Sequence, residues 1–233
     1  MIPAITTDQM REVDRAMIED FGIELIQMME NAGRALALLA REHLGGSPAG
    51  RTVLVLAGRG NNGGGGLVAA RRLAIWGAGV FVILTDAPDR FDGVPAHQLS
   101  ILQAMQIPIH VAPVETLPPA DIILDALIGY GLRGAPREPA ATLIHQANAG
   151  GVPIIALDTP SGLDTTTGQV FEPAIHAHAT LTLALPKIGL LTEVAQTVVG
   201  QLFLADISVP RLLYQRMGLD VGSLFAEADV IPL

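Results

Sequence analysis

Over the first forty-odd residues, apolar positions recur at intervals of three and four. Met10, Val13 and Met17 form one such stripe, and Thr6 and Gln9 ahead of it have capping-box spacing. Gly22 interrupts the pattern. A second stripe, Leu25, Met28, Ala32, Ala35 and Leu39, runs on to Gly45-Gly46. The spacing predicts two N-terminal helices whose methionines serve as core filler.

After the loop Ser47-Pro48-Ala49-Gly50 the period changes. Val53-Leu54-Val55-Leu56-Ala57 is a continuous apolar run, which marks a strand buried on both faces. A glycine-rich turn follows, then a helix expected over about residues 67–76 and a strand over 80–84. The alternation repeats: a helix near 97–105, a short strand near Ile109, a strand at 121–125, a helix over about 139–148 and a strand at 153–158. Two later strands are expected at 180–185 and 201–205. Strands alternating with helices imply βαβ units. The fold expected is α/β: a Rossmann-like three-layer αβα sandwich with a mostly parallel central sheet and the two N-terminal helices added. No repeat, low-complexity tract or linker divides the chain, so residues 1–233 read as a single domain.

Composition narrows the function. The net charge is −9, with no block of Lys or Arg, which argues against non-specific nucleic-acid binding. The absence of cysteine excludes disulfides, thiolate zinc sites and cysteine nucleophiles. No apolar stretch approaches the ~20 residues of a membrane span, and Met1-Ile2-Pro3-Ala4-Ile5 lacks the charged start of a secretory signal. No membrane partner is expected, and the cytoplasm is the expected location.

The chemistry collects in loops that follow buried strands. Gly58-Arg59-Gly60-Asn61-Asn62-Gly63-Gly64-Gly65-Gly66 comes directly after the first strand and opens a helix. Glycines there let a phosphate approach the backbone, and the helix N-terminus offers free N–H groups. Gly58, Gly60 and Gly63 satisfy the dinucleotide fingerprint, with Asp86 near the offset of a ribose contact. A bare tight turn would account for the glycines but not for the asparagine pair. Asp125 and Asp158 each end a strand and lead into a further turn, Asp125 into Gly129-Tyr130-Gly131-Leu132-Arg133-Gly134 and Asp158 into Thr159-Pro160-Ser161-Gly162. Ligands of open α/β sheets bind at that end of the strands. Taken singly, each Asp could simply cap its turn.

These segments together resemble the YjeF N-terminal domain family, whose enzyme members are NAD(P)H-hydrate epimerases. The resemblance rests on Leu56–Arg71, on Leu124–Gly134, on Leu157–Asp164, on Ala184-Leu185-Pro186-Lys187 and on Met29-Glu30-Asn31-Ala32-Gly33. The family loop reads G-N-N-G-G-D-G, so Gly65 stands where the family has Asp, removing an acceptor that could order the loop or contact a ligand.

The resemblance implies an isomerase that interconverts the R and S epimers of hydrated NADH or NADPH. It implies a potassium ion held by Asn62, Asp125 and oxygens near Ser161. It also implies substrate contacts from Gly60, Asn61, Asn62, Gly63, Gly64 and Gly65, from Gly129 to Ala135, and from Asp158. Asp158 is the candidate acid/base, with Lys187 pairing with it or contacting a phosphate. Many family members carry a second, ADP- or ATP-dependent dehydratase domain. The 233 residues leave no room for one, so a separate dehydratase is the expected pathway partner, and the resemblance adds a second copy of the chain, as a homodimer, to the partners it implies.

Two other readings stand beside this one. An NAD(P)-dependent oxidoreductase uses the fingerprint and Asp86 but leaves the Asn pair and the two Asp turns idle. A non-catalytic dinucleotide-binding or scaffold module has precedent in related domains, although it has no need of Asn62, Asp125, Asp158 and Lys187 together. His176 and His178, two residues apart, are expected to be structural. Ser161 lacks the elbow sequence of a serine hydrolase.

Overall fold

The structure is a computed structural model that describes residues 2–233. Helix α1 spans Thr7–Glu19, and its capping box is formed as expected, with the Gln9 N–H donating to Thr6 Oγ1 and the Thr6 N–H to Gln9 Oε1. Helix α2 covers Leu25–His43. The sheet strands are β1 Thr52–Ala57, β2 Gly79–Leu84, β3 Ile109–Val111, β4 Ile122–Ala126, β5 Ile154–Leu157, β6 Ala179–Leu183, β7 Gln201–Ala205 and β8 Val230–Pro232. The other helices are α3 Asn61–Ile75, α4 Gly93–Ala104, α5 Ala140–Ala149, α6 Gln196–Val199 and α7 Arg211–Arg216.

The strands form one sheet in the order β3-β2-β1-β4-β5-β6-β7-β8. All pairings are parallel except the last, where β8 runs antiparallel to β7. Two-residue alternation sorts the strand side chains between the faces. Val53, Val55 and Ala57 pack under α2, α3 and α4. Leu54 and Leu56 join Leu143, Ile144 and Ala147 of α5 on the opposite face. The three-layer sandwich expected from the sequence is present. Met10, Val13 and Met17 of α1 pack with Met28 and Ala32 of α2 and with Leu213 and Tyr214 of α7.

Two features depart from the sequence reading. The short β8, α6 and α7 were not anticipated, because segments of three to six residues carry too little periodicity to register. More consequential, only Gly58 to Gly60 of the glycine-rich segment form a turn ahead of the helix; the rest is the start of the helix. Gly60 is the N-cap of α3, and Asn61 to Gly66 already lie within it. A glycine costs a helix about 1 kcal/mol relative to alanine, and packing offsets that cost. A Cβ on Gly63 would sit 1.7 Å from the Gly58 carbonyl oxygen, and one on Gly66 2.5 Å from Ala126 Cβ. Gly33 of α2 approaches as closely, with Val68 Cβ 2.4 Å from where its own Cβ would be. Tertiary contact overrides propensity here, setting α3 down on the sheet and α2 down on α3.

Candidate active site at the carboxyl edge of the sheet

The chain leaves β1 toward β2 and β3 on one side, and β4 begins the run toward β7 on the other. The crevice beyond the carboxyl ends of β1 and β4 is therefore the topological switch point, where open α/β sheets bind ligands. A cavity of about 370 Å³ occupies it. Met10 and Asp14 of α1 wall it on one side, Leu25, Met28 and Met29 of α2 on another, and the loops after β1, β4 and β5, with Leu183 of β6 and Ile207 after β7, close the remainder.

Asp158 enters the cavity from the end of β5. Its backbone is in the left-handed region (φ 67°), unusual for a residue other than glycine. Its N–H donates to the Leu181 carbonyl of β6 at 2.7 Å, which holds the bend. Lys187 Nζ donates to Asp158 Oδ1 at 2.5 Å, to the Leu183 carbonyl at 2.9 Å and to Thr182 Oγ1 at 3.2 Å. The lysine side chain is 0% exposed and the aspartate 4%. The second carboxylate oxygen, Oδ2, accepts from the Tyr130 N–H at 3.1 Å. Both oxygens are thus fixed, and a fully buried cation supports a carboxylate on the wall of a largely apolar cavity.

Behind this pair lies a second buried acid. Asp125 Oδ1 accepts from Ser161 Oγ at 2.6 Å and Oδ2 from the Ser161 N–H at 2.8 Å. Ser161 Oγ accepts in turn from the Ile128 N–H at 2.9 Å, which ties the loop after β4 to the loop after β5. Asp125 is 0% exposed and, among the described residues, has no cationic side chain in ion-pair range. Burial pushes its carboxyl up to about 6, against the pull of the Ser161 and Leu127 hydrogen bonds. Asn62 lies against Gly129 of the same loop, and its amide nitrogen is buried without a hydrogen-bond partner. A 180° rotation of that amide puts its carbonyl oxygen in the same place.

A third acid completes the site. The Tyr130 hydroxyl donates to Asp14 Oδ2. Burial pushes the Asp14 carboxyl up, the Tyr130 hydrogen bond pulls it back, and the charges of Asp158 and Lys187 act in opposite directions. Burial and the neighbouring Asp14 charge raise the Tyr130 phenol as well, which keeps the hydroxyl a donor.

A family profile described as YjeF-related protein N-terminus matches residues 25–189, the stretch that supplies all of these groups except Met10 and Asp14 of α1. The chain belongs to that family. It is 47% identical over 219 residues to the NAD(P)H-hydrate epimerase of Dehalogenimonas lykanthroporepellens, covering 94% of this chain and 87% of that protein. The epimerase of Limosilactobacillus fermentum is 37% identical over 203 residues, with 87% and 96% covered. The bifunctional NAD(P)H-hydrate repair enzyme of Salinibacter ruber is 38% identical over 242 residues, and the match takes up 97% of this chain but only 44% of that protein. The crystal structure of yeast ynu0 has the same fold, with a TM-score of 0.85 at 22% identity over the full length of both chains.

Within this YjeF-related domain, Gly60, Asn61, Asn62, Gly65, Gly129, Tyr130, Gly131 and Asp158 reach the cavity wall. Gly63 and Gly64 do not; they pack against Gly58 and Met29. Leu132, Arg133, Gly134 and Ala135 continue along the loop beyond the wall, with Arg133 and Ala135 exposed. Asp125, Ser161 and Lys187 lie beneath the surface and act through their neighbours. Lys187 takes the first of its two expected roles, as partner of Asp158. Asp86 is held by Arg59 at 4.0 Å and Arg90 at 3.9 Å, away from the cavity. Among the described residues no cluster of three His, Cys, Asp or Glu could hold a metal, and His178 packs edge-on against His43. Likewise no helix among them is long and apolar enough to cross a membrane.

Asp14 was missed in the sequence, as was the second duty of Met10, Met28 and Met29, which are buried like core residues yet form the cavity's apolar wall. The signal for Asp14 was present: it stands one turn after Met10, between Val13 and Met17, an acid at the edge of an apolar stripe.

Proposed function

We propose that this chain is an NAD(P)H-hydrate epimerase, an isomerase acting on hydrated NADH and NADPH. The observation that carries this reading is Asp158: a carboxylate on the wall of a largely apolar cavity at the switch point, held by a fully buried lysine. Its epimerase relatives, similar over nearly their full length, support it. The substrate carries a hydroxyl at C6 of a reduced nicotinamide ring. The ring nitrogen's lone pair expels that hydroxyl and leaves a flat cation, which water re-attacks from either face. Asp158 stabilises the cation by its charge and exchanges protons with the oxygen. The apolar wall of Met10, Met28 and Met29 limits solvent at the ring. The N-terminus of α3, at Gly60 to Asn62, presents free N–H groups to the pyrophosphate.

The groups here fit a monovalent cation: Asp125 is a buried carboxylate without a cationic partner, Ser161 Oγ lies against it, and the amide of Asn62, whose nitrogen is buried without a partner, offers an oxygen after rotation. In this reading Asn62, Asp125 and the oxygens of Ser161 hold potassium. When bound, it supplies positive charge beside the phosphate loop. Return of the hydrate to usable cofactor falls to an ADP- or ATP-dependent dehydratase, in this reading a separate partner.

The test is epimerisation of purified R-NADPH hydrate followed by chromatography, with and without potassium. Conversion above the spontaneous rate supports the assignment, and conversion at that rate in both conditions refutes it.

A further inference from the structure

We propose that Asp14 is a second catalytic acid/base of this site, exchanging its proton with the substrate oxygen on the ring face that Asp158 does not serve, with Tyr130 as its positioning residue. The proposal rests on the epimerase reading above and goes further in assigning a proton carrier to each face.

The chemistry demands two. Inversion at C6 means that oxygen leaves from one face of the ring and returns from the other. A single carboxylate held on one wall cannot reach both faces of a planar ring. Asp158 is immobilised, with Oδ1 taken by Lys187 and Oδ2 by the Tyr130 N–H. Asp14 lines the same cavity from a different wall, on α1. Its Oδ2 accepts from the Tyr130 hydroxyl, and among the described residues its Oδ1 makes no hydrogen bond and no ion pair. One oxygen is anchored and the other is available to a group in the cavity. Tyr130 links the two acids through its two donors, the backbone N–H to Asp158 and the phenol to Asp14.

In one direction the C6–O bond breaks with its electron pair passing to oxygen, Asp14 gives that oxygen a proton, and water departs. The nitrogen lone pair forms the C=N bond of the cation. A second water then adds to C6 from the opposite face, and its excess proton passes to Asp158. Exchange with bulk water returns one proton to Asp14 and removes one from Asp158. The reverse direction interchanges the two roles.

The charged and titratable groups facing Asp14 are Tyr130, Asp158 and Lys187, with Arg11 close to Tyr130. Asp14 is more easily kept protonated than an exposed aspartate, because burial raises it. That suits the proton-donating half of the cycle.

The experiment measures kcat and KM for R-NADPH hydrate from about pH 5 to 9 in wild type, Asp14→Asn and Tyr130→Phe. Wild type is expected to turn over above the spontaneous rate, with a limb that falls as pH rises through the Asp14 titration. Asp14→Asn is expected to lose about 10²–10⁴ in kcat, to keep KM within about threefold, and to lack that limb. Tyr130→Phe removes a donor that favours the ionised carboxylate, so its limb should move to higher pH. A merely structural Asp14 leaves the limb in place. Wild-type rate and limb in Asp14→Asn overturn the proposal while sparing the epimerase reading; an inactive wild type overturns both. If Asp14→Asn does not fold, an unmoved limb in Tyr130→Phe overturns the proposal by itself.

Discussion

Replacing Lys187 by Met removes the ammonium and keeps most of the side-chain volume, which leaves Asp158 as a buried carboxylate without its cation. The pair is 0% and 4% exposed, so solvent gives little compensation, unlike at an exposed ion pair worth about 0–1 kcal/mol. Breaking a buried pair by removing one partner costs about 3–5 kcal/mol. For a domain of about 150–250 residues each kcal/mol moves the melting temperature by about 2–4 °C, so Lys187→Met should melt about 6–20 °C lower. Differential scanning fluorimetry and urea denaturation at neutral pH measure this. The second arm is Lys187→Met/Asp158→Asn. Asparagine tolerates the left-handed backbone at 158, and the double variant buries no net charge. It should therefore be more stable than Lys187→Met alone, with non-additivity of about 1–3 kcal/mol between the two substitutions. A loss below about 1 kcal/mol for Lys187→Met, or simple additivity of the two changes, would refute the view that this pair is a closed electrostatic unit.

Three further outcomes follow from the same geometry. Asp158→Asn should retain the cavity but lower the epimerisation rate by about 10²–10⁴, and turnover near wild type would remove Asp158 from the chemistry. Potassium at about a hundredfold over its dissociation constant should stabilise the protein by about 2.7 kcal/mol, or roughly 5–11 °C, relative to choline; Asp125→Asn should abolish the difference. Gly65→Asp pushes a carboxylate against Leu157 Cδ2, only 2.8 Å from where the new Cβ would sit. It should lower stability by about 1–3 kcal/mol in thermal unfolding and leave turnover within about tenfold of wild type. Turnover confined to Gly65→Asp would show instead that the missing acid is required.

What could be read from the sequence divides along a physical line. The continuous apolar runs at Val53–Ala57 and Val80–Leu84 identify buried parallel strands, because both their faces need apolar cover. The Thr6–Gln9 box is a local signal for a local event, and it marked the start of α1. Asp125 and Asp158 were legible because strand ends are where such sheets place ligands. What stayed hidden depends on groups distant in sequence meeting in space. Asn61 to Gly66 read as a turn because helix propensity is local, whereas the carbonyl of Gly58 and the side chain of Ala126 that make those glycines necessary belong to other elements. Lys187 was legible as a residue of interest, but not as one fully buried, since its burial requires β5, β6 and the loop after each to converge. Asp14 shows the same limit most clearly. Its acidity within an apolar stripe is visible in the sequence, yet its meaning comes from a tyrosine 116 positions away. That one tyrosine also fastens Asp158, so the loop after β4 does more than close the cavity. It sets the spacing between the two acids on which the proposed inversion depends.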